Sequence, residues 1–409
     1  MADKDFKIKG FSSLAVHGGH DADPLNAHLT PIYASSTFVF DDAEQGMRRF
    51  SGKEKGYIYS RWGNPSFTEA ENKIAALEAF GLEDSSGAPL QLKAILHSSG
   101  MAAISSLMLS TLKTGDKLVS HYSLYGGTEE YIHRLLAPLN IESVIVDFRD
   151  PNKLEEALKQ DSSIKMVYIE TPANPTIQCV DIEILSNIAK KYGKFVVCDN
   201  TFATPYLQQP FKYAVDFVIH STTKFLNGHG TAIGGVLVGR DLQFMNTHAT
   251  KIHRLLGGNS NPFDAFLLVN GMKTLEIRMD RHCSNAQNVA AFLEKNNSVS
   301  HVNYNGLASH HGFDISKKQM KLPGALLSFE HKDGLNGGIS FMNKLKFCTR
   351  AISLGTCDTL LSHPASMSHF GVNREDRIKY GITDGLIRMS VGLENVEDIL
   401  TDLEQALSQ

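Results

Sequence analysis

Between Lys93 and His220 the chain repeats one pattern, a short apolar run followed by a longer amphipathic stretch. The apolar runs read as strands at Lys93–His97, Lys117–Ser120, Ser143–Asp147, Met166–Glu170, 195–198 and 217–219. The stretches between them read as helices at Met101–Leu112, Glu129–Leu136, Leu154–Lys159 and Ile182–Tyr192. Parallel strands need long crossovers, and helices supply them. The pattern therefore predicts an α/β fold, a mostly parallel sheet flanked by helices on both faces.

The flanks of this region differ from it. Residues 1–63 are rich in Gly, His, Pro and Tyr, show weak periodicity and read as an extended N-terminal arm. Helical patterning begins after Asn64-Pro65, with Ser66 as the expected N-cap. Residues 64–269 then form the α/β domain. Residues 270–409 mix helices (Arg281–Lys295, Val396–Ala406) with strands (Ala325–Phe329, Leu386–Ser390) and read as a smaller α+β domain.

Composition narrows the function classes. A net charge of -4 without a basic block gives no attraction to nucleic acid. No apolar stretch approaches the roughly 20 residues needed to span a bilayer. The charged start, Met1-Ala-Asp-Lys-Asp5, lacks a signal core. The five cysteines are odd in number, lack metal-site spacing and suit a reducing compartment. The expectation is a cytoplasmic protein that uses no metal, membrane or nucleic acid.

Ligands of open α/β sheets bind at the carboxyl ends of the strands. One such end reads Phe217-Val-Ile-His-Ser221-Thr-Thr-Lys224, followed by Gly228-His229-Gly230. A neighbouring run, Lys194-Phe-Val-Val-Cys-Asp199, ends in a carboxylate. An amine beside hydroxyls, with a carboxylate on the next strand, suits pyridoxal phosphate (PLP). Lys224 would form a Schiff base, Ser221 and Thr223 would bind phosphate, and Asp199 would keep the ring nitrogen protonated. Taken alone, Lys224 also reads as a solvated turn residue and Asp199 as a cap.

Other strand ends add candidates. Ser98-Ser99-Gly100-Met101 opens a helix, where backbone N–H groups attract an anion. Taken alone it reads rather as a strand-to-helix turn with serine caps. Tyr59-Ser-Arg61 offers a guanidinium fork for phosphate, or simply an aromatic surface loop. Tyr125, before Gly126-Gly127, suits ring stacking and proton donation, or plain packing. Arg388 suits the carboxylate of an amino acid, with Ser353 as a companion, although strand arginines are commonly solvated.

The ordered set resembles the Cys/Met-metabolism family of PLP enzymes over nearly the whole chain. The resemblance runs through Thr30-Pro-Ile-Tyr-Ala-Ser-Ser-Thr-Phe, Tyr59-Ser-Arg61-Trp-Gly-Asn-Pro, Ser98-Ser-Gly-Met-Ala-Ala and Glu170-Thr-Pro-Ala-Asn174-Pro. It continues through Val197-Cys-Asp199-Asn-Thr, Ser221-Thr-Thr-Lys224, His363-Pro-Ala-Ser-Met-Ser-His and Gly385-Leu-Ile-Arg388. It implies an aspartate-aminotransferase-like fold of type I and a homotetramer built from two active dimers.

Residue roles follow from the same resemblance. Lys224 carries PLP and moves protons, and Asp199 pairs with the ring nitrogen. Ser99, Gly100, Met101, Ser221 and Thr223 surround the phosphate. Tyr59 and Arg61 reach the phosphate in a neighbouring subunit, which gives the arm a purpose. Tyr125 stacks on the ring and protonates the leaving group. Asn174 sits near the ring hydroxyl, and Ser353 and Arg388 hold the substrate carboxylate.

The implied activity is carbon–sulfur elimination on a sulfur amino acid. The segment Cys348-Thr-Arg-Ala-Ile352-Ser-Leu-Gly resembles the methionine γ-lyases of the family. Cystathionine γ-synthases and many cystathionine lyases carry Glu where this chain has Ile352. An apolar residue suits a methyl thioether, because a distal charge left unpaired there is costly. Two features depart from that subgroup. Gly127 stands where methionine γ-lyases typically have Cys, and Leu255–Asn261 lacks a lysine that many of them show. Cystathionine β- or γ-lyase, then O-acetylhomoserine sulfhydrylase or cystathionine γ-synthase, are the alternatives within the family. A catalytically silent PLP-fold binding protein is the alternative outside it.

Overall fold

A computed structural model of the chain describes residues 7–20, 26–371 and 373–408. The expected strands are present, most of them within two residues of the ranges predicted. They are β1 Lys93–His97, β2 Lys117–Ser120, β3 Glu142–Ile145, β4 Ile164–Glu170, β5 Phe195–Asp199 and β6 Phe217–His220. A seventh, β7 Gly235–Gly239, was not predicted. Their order is β1-β7-β6-β5-β4-β2-β3. The pairs β2–β3, β2–β4 and β4–β5 are parallel, whereas β1–β7 is antiparallel.

Local sequence explains these elements. β4 is Ile-Lys-Met-Val-Tyr-Ile-Glu, buried at every position except Lys165. That near-continuous apolar run is what a central parallel strand covered on both faces requires. The crossover helix Pro151–Gln160 starts at Asp150, whose side chain accepts from Asn152 N–H, and buries Leu154 and Leu158. The crossover Ile182–Lys191 is capped by Asp181 and buries Leu185 and Ala189. Such caps stabilise a helix start by about 1 kcal/mol each.

A second sheet has the order β10-β11-β12-β9-β8, from β8 Val299–Asn303, β9 Leu326–His331, β10 Thr349–Arg350, β11 Leu360–Ser362 and β12 Leu386–Ser390. Its core packs Leu327, Phe329, Phe341, Ile387 and Met389 with Leu403 of the last helix, Val396–Leu407. The Phe329 and Phe341 rings meet edge to face at 5.4 Å. Burying each contributes about 2–3 kcal/mol.

By internal contacts the chain divides into two compact units. The first comprises Met1–Thr111, Ile219–Thr223 and Thr231–Thr274. The second comprises Leu112–Val218, Lys224–Gly230 and Leu275–Gln409. Two details differ from the sequence reading. The expected arm contains short helices at Phe11–His17 and Ala43–Phe50 among its described residues. The cap of helix Pro65–Glu78 is Asn64, not Ser66, and Ser66 N–H donates to its Oδ1 at 2.9 Å. Pro65 explains the shift, because it occupies the first helical position and leaves Asn64 to cap. Among the described residues no helix is long and apolar enough to cross a membrane.

Candidate active site

In the first unit β1 runs into Ser98-Ser99-Gly100, and Gly100 opens the helix that ends at Thr111. Ser99 Oγ caps it, accepting from Ala102 N–H at 3.0 Å. Ser98 N–H donates to Gly258 O at 2.7 Å. The residues expected around phosphate meet here through very close backbone approaches. A Cβ on Gly100 would stand 3.0 Å from Ser221 Cβ, and one on Gly235 would stand 2.1 Å from Ser99 O. Thr223 Oγ donates to Gly234 O at 3.2 Å and accepts from Gly234 N–H at 3.0 Å, which closes the turn after β6. The result is a helix N-terminus and hydroxyl-bearing turn shaped by backbone. Met101 follows Gly100 in the first turn of that helix.

Tyr59 and Arg61 form a separate patch of the same unit. Arg61 Nη1 donates to Arg254 O at 2.6 Å, and its guanidinium lies 5.6 Å from the Tyr59 ring centre.

The second unit holds six candidate residues, Lys224, Ser353, Arg388, Asn174, Asp199 and Tyr125. Lys224 directly follows Thr223, and its Nζ donates to Ser353 Oγ at 3.2 Å. Burial, helped by the Arg388 charge, lowers its pKa to about 8. Arg388 projects from β12 and is almost fully buried. It donates to Ile352 O at 2.9 Å, to Ser353 O at 2.8 Å and to Asn174 Oδ1 at 3.2 Å. Among the described residues its Nε is buried without a hydrogen-bond partner. The guanidinium is thus braced by two carbonyls and one amide, and keeps a donor to spare.

Asp199 ends β5. Its Oδ1 accepts from Thr201 N–H at 3.0 Å and from the Thr201 hydroxyl at 2.6 Å. The Tyr168 hydroxyl donates to Oδ2 at 3.5 Å. Burial and the neighbouring carboxylates push the Tyr168 phenol well above its usual range, so it stays a neutral donor. Tyr125 stands at the start of helix Gly126–Tyr131 and is 49% exposed. Ile352 is 67% exposed, one residue before Ser353.

One residue with no role in the sequence reading belongs to this group. Glu170 ends β4, and its register partner on β5 is Asp199. Its carboxylate accepts from Tyr125 N–H at 2.8 Å and from Asn174 N–H at 3.3 Å. Burial, then the Asp199 charge, pushes Glu170 well above the usual carboxylate range. Tyr168 and Thr201, which surround Asp199, also went unpredicted. The only sequence signal for Glu170 was its place in the stretch Glu170–Asn174.

These groups fit PLP and an amino acid. Lys224 has a depressed pKa and a hydroxyl partner, as an amine that must shed its proton near neutrality requires. The turn at Gly100 and Gly235 has no room for side chains and presents a helix N-terminus to an anion. Arg388 has the free buried donor that a substrate carboxylate would take.

Comparison with known proteins gives the same assignment. The family model for Cys/Met metabolism PLP-dependent enzymes matches residues 12–408. The chain is 45% identical over 408 residues to an L-methionine gamma-lyase of Porphyromonas gingivalis, covering 100% of this chain and 99% of that protein. It is 46% identical over 406 residues to an L-methionine gamma-lyase of Fusobacterium nucleatum subsp. nucleatum, covering 99% of this chain and 100% of the other. Among solved structures, cystathionine gamma synthase from Xanthomonas oryzae pv. oryzae, in complex with aminoacrylate and cysteine, superposes with a TM-score of 0.89 at 36% identity, covering 98% of each chain. With the fold, the lysine turn and the match in agreement, the chain belongs to the Cys/Met metabolism PLP-dependent enzyme family.

Proposed function

We propose that this protein is a methionine γ-lyase, converting L-methionine and water to methanethiol, 2-oxobutanoate and ammonia. The observation that carries the reading is the Lys224–Ser353–Arg388–Asn174 cluster, with the apolar Ile352 beside it. The similar proteins named L-methionine gamma-lyase support it further.

PLP, when bound, supplies an electron sink for the charge left at the substrate's α-carbon. The protein's own residues do the rest. Lys224 carries the cofactor, and Asp199 holds the proton at its ring nitrogen. Ser99, Gly100, Met101, Ser221 and Thr223 would hold its phosphate, and Asn174 would serve its ring hydroxyl. Arg388 and Ser353 would orient the substrate carboxylate, so that Lys224 Nζ, freed by the substrate amine, can take the α-proton, give it up again and then take a β-proton. Tyr125 would lie against the cofactor, and its hydroxyl would give a proton to the departing thiolate. Ile352 offers an apolar contact to the methyl thioether and no ionic partner to a distal charge.

The same reading extends to assembly and location. The arm, residues 1–63, completes a partner's site, with Tyr59 and Arg61 at the partner's phosphate. The domains 64–269 and 270–409 follow the family plan, and the enzyme is a cytoplasmic homotetramer. A second reading, cystathionine β- or γ-lyase, is favoured by Gly127 in place of Cys.

The discriminating experiment measures 2-oxo acid release from methionine, cystathionine and cysteine. 2-Oxobutanoate with methanethiol from methionine supports the proposal. Pyruvate with homocysteine from cystathionine, and nothing from methionine, overturns it. Release from none of the three points to a silent binding protein.

A further inference from the structure

Glu170 is an uneasy residue for its position. It is buried at the end of a central strand, directly opposite another carboxylate, Asp199. Two acidic side chains so placed disfavour each other's charge. A carboxylate is nevertheless the side chain that offers two acceptor oxygens to two separate N–H donors, whereas a glutamine offers one acceptor and two donors. Both oxygens are used. Oε2 accepts from Tyr125 N–H at 2.8 Å, and Oε1 accepts from Asn174 N–H at 3.3 Å.

The two residues so held are the ones whose placement matters. Tyr125 is half-exposed, and its hydroxyl makes no hydrogen bond among the described residues. Its location therefore depends on its backbone. Asn174 passes its own position on, since its Oδ1 accepts from Arg388 Nη1 at 3.2 Å. We infer that Glu170 is a positioning residue for the reaction, fixing Tyr125 with one carboxylate oxygen and the Asn174–Arg388 pair with the other. A single side chain then sets where the leaving-group acid stands relative to the group that holds the substrate.

The inference rests on the reading of Tyr125 as the acid that protonates the leaving thiolate, and its test separates the two. Holoenzymes of the wild type, Glu170→Gln, Glu170→Asp and Tyr125→Phe are assayed on methionine and on 2-amino-4-chlorobutanoate. A thiolate leaves well only when protonated, whereas chloride leaves without a proton. Loss of a general acid costs about 10²-fold or more on the substrate that needs it, so Tyr125→Phe falls by that factor on methionine relative to the chloro substrate. Glu170→Gln loses one hydrogen bond to a positioned group, and its methionine-to-chloride ratio of kcat falls about tenfold. Glu170→Asp, one methylene shorter, shifts the ratio the same way.

If both Glu170 variants fall equally on the two substrates, or on neither, while Tyr125→Phe stays selective, the positioning role is overturned and the Tyr125 reading survives. If Tyr125→Phe is itself unselective, that reading fails and takes the inference with it. If neither Glu170 variant yields soluble PLP-loaded protein, the residue serves folding alone and the inference is again overturned.

Discussion

The turn around Ser99, Gly100, Ser221 and Gly235 and the cluster around Lys224 and Arg388 are built of different materials. The first is made by backbone brought so close that a Cβ at Gly235 would lie 2.1 Å from a carbonyl oxygen. An anion bound there would be held by a helix N-terminus and hydroxyls, neither of which titrates near neutrality. The second joins buried ionisable side chains, with Lys224 shifted to about 8 and Arg388 braced by two carbonyls and Asn174. A binding surface that only has to hold can be rigid and uncharged. A surface that must move protons needs groups whose charge is poised by burial.

Mutations should therefore fail differently in the two regions. The largest effect is expected for Asp199→Ala, which removes the carboxylate that Thr201 and Tyr168 hold in place. Leaving the ring nitrogen unpaired costs about 3–5 kcal/mol, so turnover should nearly vanish while PLP is still bound. Steady-state kinetics with the cofactor absorbance measured alongside checks this, and retained turnover counts against the electron-sink role.

Gly235→Ala should act the opposite way, through shape. The methyl meets a backbone oxygen that cannot rotate aside, and overpacking of this kind costs about 1–3 kcal/mol. PLP retention on dialysis and thermal stability should both drop. An unchanged PLP affinity would mean that the turn is no cradle.

The smallest effect is one of stability. Burial holds the Lys224 amine at about 8, below its unfolded value, so the unfolded chain binds the proton more tightly. Below about 8 the fold carries this cost in full, and stability should rise with pH from there towards the unfolded lysine value. Apo Lys224→Met should lack the rise and be more stable at pH 7 by about 2 kcal/mol in urea unfolding. Equal stability across that pH range would mean that the amine is not desolvated.

The same contrast governs what was legible in the sequence. The strands β2, β4, β5 and β6 stood out because a buried strand of a mostly parallel sheet is largely apolar. Strand β7 was missed, being five residues flanked by glycines and paired antiparallel with β1 in a region that otherwise alternates strand and helix. Lys224 and Asp199 were legible because each sits at a strand end beside hydroxyls or turn residues. Glu170 was not, because a carboxylate at a strand end reads as solvated. Only the register that sets it against Asp199, and the fold-back of Tyr125 and Asn174 onto it, give it a role.

The central claim is that Lys224 is the amine on which the cofactor is carried. The direct measurement is borohydride reduction of the purified protein, followed by peptide mass mapping. The account predicts a yellow protein that bleaches on reduction, with a single reduced pyridoxyl phosphate adduct on the peptide containing Lys224. A colourless protein without an adduct, or an adduct on another lysine, would contradict it.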